Sequence, residues 1–172
     1  MTFRTKTEGG EQALSTRSTL PFELILDTDC ADLLDIEFFT AGADLPLLVE
    51  QAHTAGVPVV CSSHDFAKTP PQAELVERMV QMQQAGADLP KLAVMPQSRT
   101  DVLELLAATA EMAEHHPETP VITMSMGALG AVSRLAGETF GSAMTFANPG
   151  QASAPGQVSL DIVNEVLDAL HL

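Results

Sequence analysis

VPVVCSSHDFAKTPPQAELVERMVQMQQAGADLPKLAVMP, residues 57–96, holds the pattern that decides the fold. Residues 57–63 are apolar or small with a β-branched bias, which reads as a buried strand. Residues 71–86 open on Pro71 and close on Gly86, the start and stop signals of a helix. Residues 91–95 return to a strand, with Lys91 at its mouth. One strand-helix-strand unit is therefore complete within this stretch. A cation at the edge of a β core is either a paired structural charge or a reactive amine.

The same alternation extends in both directions. Residues 2–6 read as a short strand, and 7–11 as a turn. Segment 20–29 fits either strand or helix. Residues 33–39 read as a strand with its acidic side chains on one face, and 45–55 as a helix ended by Gly56. Residues 101–116 predict a long helix and 120–126 a strand. A helix begins at 130–135, a last strand occupies 142–147, and 160–170 closes as an amphipathic helix. Strand followed by helix recurs at least five times with short connections. That predicts a parallel sheet, as a (β/α) barrel or a doubly wound sheet, in one domain spanning 1–172.

Composition narrows the function classes. The chain has 172 residues, 8 Lys+Arg against 23 Asp+Glu and a net charge of −15, which argues against nucleic acid and anionic membrane surfaces. With no Trp and no Tyr, it lacks aromatic platforms for stacking bases. No apolar run reaches the roughly 18 residues that a membrane helix needs, and no signal peptide opens the chain. Cys30 and Cys61, far apart and without CxxC spacing, suggest a reduced cytoplasmic protein with no metal motif. Gly127 and Gly130 make no dinucleotide fingerprint. The remaining histidines form no HxxxH or HExxH pattern.

Chemistry in a parallel barrel sits at the carboxyl ends of strands. His64 and Asp65 fall just past the end of 57–63, where a His-Asp step is either a solvated turn or part of a working rim. Arg134 follows a glycine-bearing turn into a helix, and is either an anion clamp or a surface salt bridge. Met124 and Met126 read as core packing with one face toward a pocket. Residues 153–157 are a plain connector or a lid. Lys91, His64, Glu8 and Arg134 together give an amine, a base, a carboxylate and an anion clamp on different segments. That set suits Schiff-base chemistry. A desolvated lysine attacks a ketone, the iminium acidifies the adjacent C–H, and a histidine removes the proton.

The runs FRTKTEGGEQ (3–12), DIEFF (35–39), SSHDFAKTP (62–70), GADLPKLAVMPQS (86–98), ITMSMGALGAVSRLAGETFGSAMTFA (122–147) and QASAPGQ (151–157) resemble type I 3-dehydroquinate dehydratase, in that family's order over nearly the whole chain. The resemblance implies dehydration of 3-dehydroquinate to 3-dehydroshikimate in the shikimate pathway. Lys91 would form the imine. His64 would take the C2 proton and assist loss of water, with Glu8 orienting it. Arg134 would hold the substrate carboxylate. Arg4, Met124, Met126, Ser153 and Gln157 would line the pocket, with 151–157 as its lid. Asp35 and Glu37 would be supporting carboxylates behind the site. No metal or diffusible cofactor is implied. The implied fold is a (β/α)₈ barrel, commonly a homodimer, in which 20–29 is helical.

The family carries two further βα units before the strand holding Arg4. This chain is therefore expected to supply about six of the eight units of a barrel that is typically ~250 residues long. The expectation is an N-terminally truncated barrel with its first and last strands unpaired. A second reading is an impaired remnant or interaction module of the same fold. A third, another lysine-imine lyase or aldolase, leaves SSHDF and SAPGQ unexplained.

Overall fold

Among the described residues four strands, β1 (Leu34–Glu37), β2 (Val59–Asp65), β3 (Leu89–Val94) and β4 (Ile122–Ser125), lie parallel in the order β1-β2-β3-β4. The structure is a computed structural model that describes residues 5–8, 31–150 and 156–171. The connections carry the helical turn α1 (Phe38–Ala41) and helices α2 (Leu45–Thr54), α3 (Gln72–Gln84), α4 (Arg99–His115) and α5 (Gly127–Leu135). Helix α6 (Leu160–Leu170) follows. Sheet order equal to chain order, with a helix in every crossover, is the winding of a parallel α/β barrel.

The two faces of the sheet differ chemically, because successive strand residues point to opposite sides. Leu34, Ile36, Val59, Cys61, Leu92 and Val94 make the outer face and pack with Leu48, Leu75, Met79, Leu105 and Met112 from the helices. Each such buried side chain contributes about 1.5–3 kcal/mol, so this layer anchors the helices. Burial, and then the charges of Asp35 and Asp88, push the Cys61 thiol up to about 12. It therefore packs there as a neutral hydrophobe. The inner face holds a smaller apolar cluster, Val60, Ala93, Ile122, Met124 and Met126. Parity puts Asp35, Glu37, Ser62, His64 and Lys91 on that same inner side. The register is Glu37↔Ser62 between β1 and β2 and Ser62↔Lys91 between β2 and β3.

Local chemistry sets the helix ends. Ser98 caps α4 by accepting from the Asp101 amide, and the Asp101 carboxylate accepts from the Gln97 amide and the Ser98 hydroxyl. Those hydrogen bonds, the one from the Ser98 side chain foremost, lower the pKa of Asp101. The start of α3 is satisfied from its neighbour, since the Gln72 amide donates to Glu104 at 2.7 Å.

Several boundaries differ from the sequence reading. The strand expected over 33–39 ends at Glu37, because Phe38 turns back as a helix and packs on the outer core. β2 runs to Asp65, so His64 lies on the strand and not beyond it. Lys91 is the third residue of β3 and not its mouth. α5 starts at Gly127, directly after the strand, and not at Gly130. Segment 142–147 forms no strand. It makes a single parallel bridge, Val121↔Ser142, and the Ser142 hydroxyl accepts from the Thr123 amide where the next backbone rung would stand. The expected helix at 20–29 and most of the strand at 2–6 lie outside the described residues.

Gly130 is inside α5 because β4 leaves no room for a side chain. A Cβ there would overlap the Ser125 carbonyl. Gly130→Ala is expected to cost about 3 kcal/mol through overpacking, read as a lower urea midpoint at unchanged m-value.

Candidate active site

Lys91 is 6% exposed, and its ammonium donates to Asp35 Oδ2 at 2.9 Å. The other oxygen, Asp35 Oδ1, accepts from the Ser62 hydroxyl at 2.6 Å. The ammonium also stands 4.9 Å from the centroid of the Phe146 ring, within cation–π range. Leu33, Val60, Ile122 and Met144 join Asp35, Lys91 and Phe146 in lining a cavity of about 120 Å³. The paired-charge reading of Lys91 is what the Asp35 contact shows. The lysine is a paired charge, and it lines a cavity.

One inner-face step further along β2, His64 Nδ1 lies 2.8 Å from Glu8 Oε2, and the His64 backbone amide donates to the same oxygen at 3.1 Å. An ionised carboxylate only accepts, so Nδ1 carries a proton, and in the neutral imidazole Nε2 then keeps its lone pair. Glu8 ends a short 3-10 turn, Lys6–Glu8, and is itself buried. That turn is tied down by Glu37, whose carboxylate accepts from the Thr5 amide at 2.7 Å and the Thr5 hydroxyl at 2.6 Å. A chain of contacts thus runs from Glu37 through Thr5 and Glu8 to the histidine.

Arg134 sits in the last turn of α5 and is 1% exposed, which excludes the surface salt bridge. Its Nη1 lies 3.4 Å from Met124 Sδ and 3.4 Å from the Phe146 carbonyl, while Nε has no partner among the described residues. Burial lowers its pKa, but a guanidinium stays charged at working pH. No carboxylate among the described residues pairs with it. A buried cation with weak partners among the described residues has donors left over for an anion.

Met124 and Met126 are buried on the inner face as expected. Gln157 is half-buried, next to Gly156, whose missing Cβ lets the chain rest on the Gly127 backbone at the start of α5. Arg4 and Ser153 lie outside the described residues. Asp35, expected as a supporting carboxylate, touches the lysine itself and also lines the cavity. Ser62, Phe146 and Thr5 were not singled out from the sequence. Ser62 was the most accessible of these, standing two residues before His64 on the same face. Among the described residues no three His, Cys, Asp or Glu side chains cluster as metal ligands would, and no helix is long and apolar enough to cross a membrane.

The sequence model of the Type I 3-dehydroquinase family matches residues 1–172. The 3-dehydroquinate dehydratase of Klebsiella pneumoniae subsp. pneumoniae is 52% identical over 170 residues, covering 98% of this chain and 68% of the relative. That of Salmonella agona is 49% identical over 171 residues, covering 99% and 68%. Among solved structures, the type I 3-dehydroquinate dehydratase of Clostridium difficile, crystallised with covalent modified comenic acid, superposes with a TM-score of 0.94. It is 48% identical, with 98% of this chain and 67% of that one covered. The Enterococcus faecalis enzyme gives a TM-score of 0.89 at 42% identity, with 99% and 68% covered. The chain spans about two thirds of the length of these relatives.

Proposed function

This chain belongs to the type I 3-dehydroquinases, and from that membership we propose how its side chains divide the dehydration of 3-dehydroquinate. The reaction is a carbon–oxygen lyase step of the shikimate pathway. Lys91 gives up a proton and its free amine adds to the substrate ketone. Loss of water from the adduct leaves an iminium. His64 Nε2 takes the C2 proton, and the electron pair of that C–H bond moves toward the iminium nitrogen to give an enamine. The imidazolium returns its proton to the β-hydroxyl, which departs as water. Hydrolysis of the conjugated iminium releases 3-dehydroshikimate and the amine.

Glu8 keeps the His64 tautomer, and Arg134 binds the substrate carboxylate. Asp35 balances the charge on Lys91, and Glu37 holds the segment bearing Glu8. Arg4, Met124, Met126, Ser153 and Gln157 line the pocket, with 151–157 as its cover. We assign residues 1–172 to one barrel domain of a cytoplasmic homodimer acting on 3-dehydroquinate. The observation that carries the reading is geometric: Lys91 and His64 share the inner face of adjacent strands, in the register Ser62↔Lys91 and His64↔Ala93.

Borohydride reduction in the presence of 3-dehydroquinate is expected to add the reduced substrate mass at Lys91, read by mass spectrometry of peptides. Lys91→Ala should lose the adduct. An adduct at another lysine, or none on protein shown to be folded by circular dichroism, would reject the assignment.

A further inference from the structure

We propose that Ser62 is a positioning residue for the lysine chemistry, its hydroxyl pinning Asp35 so that the carboxylate stays the counter-ion of the Lys91 nitrogen in both ammonium and iminium forms. The proposal rests on the imine reading above and adds a residue to it.

Three observations converge on Ser62. It is 0% exposed, so no bulk water reaches its hydroxyl. It is the register partner of Lys91 across β2 and β3, which brings the two side chains side by side on the inner face. Its hydroxyl lies 2.6 Å from Asp35 Oδ1 while Lys91 Nζ lies 2.9 Å from Oδ2, so one carboxylate is held between two donors from two strands. The direction of the Ser62 bond is not ambiguous, because an ionised carboxylate can only accept. Asp35 is the register partner of Val60, one inner-face step below Ser62. Its carboxylate therefore reaches up to Ser62 and across to Lys91, with apolar Val60 and Ile122 on the cavity wall beside it.

The chemistry gives that bond a task. The free ammonium has three N–H bonds and can follow a moving carboxylate. The iminium has one N–H, and its direction is set by the planar C=N unit. The counter-ion must then already be in place, because the nitrogen no longer adapts. A carboxylate oriented through Oδ1 keeps Oδ2 on the nitrogen through this change of geometry. Preorganised charge of this kind lowers the cost of forming a cation at a buried position. A hydrogen bond to a charged acceptor in a dry site is among the stronger ones, and losing its donor penalises the acceptor left behind.

The test uses the whole 172-residue chain. Time-resolved borohydride trapping at saturating 3-dehydroquinate measures adduct formation, alongside steady-state KM and thermal unfolding. Ser62→Ala is expected to slow adduct formation about 10- to 100-fold, with KM changed by less than about threefold. Ser62→Thr keeps the hydroxyl and should recover most of the rate. Ser62→Cys, close in size but a weak donor, should stay slow, and it carries the test if the alanine variant does not fold. Wild-type trapping rates per folded molecule in Ser62→Ala or Ser62→Cys, with only a lower Tm, would reduce Ser62 to a packing residue and overturn the proposal. Failure of the wild-type chain itself to trap substrate overturns the imine reading, and this proposal with it.

Discussion

Lys91→Ala is expected to lower kcat/KM for 3-dehydroquinate by about 10⁴-fold or more, since an amine held against the ketone is worth effective molarities of that order and above. The enone absorbance of the product measures it. The same substitution has a second cost that is separate from chemistry. Asp35 and Lys91 are both almost fully buried, and deleting the cation leaves a carboxylate without its ammonium. Breaking a buried pair from one side costs about 3–5 kcal/mol, so the variant should also unfold at lower urea. The two effects separate in a double variant. Lys91→Met with Asp35→Asn removes both charges, keeps the side-chain volumes similar and leaves the Ser62 hydroxyl an acceptor. Stability should return toward that of the parent while activity stays lost. If the double variant recovers turnover, the lysine is a structural charge and the assignment falls. If it stays as unstable as Lys91→Ala, the ion pair is not what Lys91 contributes to the fold.

How much of this was legible follows from which physical signal is local. The unit from β2 through α3 to β3 was readable because the outer face is apolar at strand and helix periods, and Pro71 and Gly86 punctuate the helix. The fold class and the lysine followed from that pattern and from the family resemblance. The direct Asp35–Lys91 contact was not readable. It depends on the register between β1, β2 and β3, which no single strand encodes. Parity alone places Asp35, Ser62 and Lys91 on one side of the sheet, but does not put the Asp35 carboxylate within 3 Å of both others. Phe146 escaped for a different reason. Segment 142–147 makes one bridge and no ladder, so a period of two says nothing about where its side chains point. The mid-helix position of Gly130 was hidden because a glycine reads as a helix start, whereas here it answers the crowding of β4. Arg134 was left between surface and site because an acidic chain offers salt bridges everywhere. Only the packing of α5 decides that this guanidinium is inside.

That burial makes Arg134 the position where stability and function should move in opposite directions. Among the described residues its Nε is unsatisfied and Nη1 makes only long contacts at 3.4 Å, and desolvation lowers its pKa. A buried charge with so few partners among the described residues is a cost to the folded state, and the proposed carboxylate partner would offset it. Arg134→Met keeps the length and apolar stem while removing the charge. It is expected to raise unfolding stability by about 1–4 kcal/mol, in line with the replacement of buried charges by apolar side chains. Removing the partner of a substrate carboxylate should meanwhile raise KM by about 10²-fold, given the strength of charge-assisted hydrogen bonds in dry sites. Ligand linkage gives an independent check. Product added at a hundredfold excess over its Kd should stabilise the parent by about 2.7 kcal/mol, and the variant at the same concentration far less. A destabilised Arg134→Met with unchanged KM would mean that the guanidinium serves the packing of α5 against Met124 and Phe146, and that the substrate carboxylate is bound elsewhere. A more stable variant that loses substrate would show a fold carrying an unpaired cation for the anion it must capture.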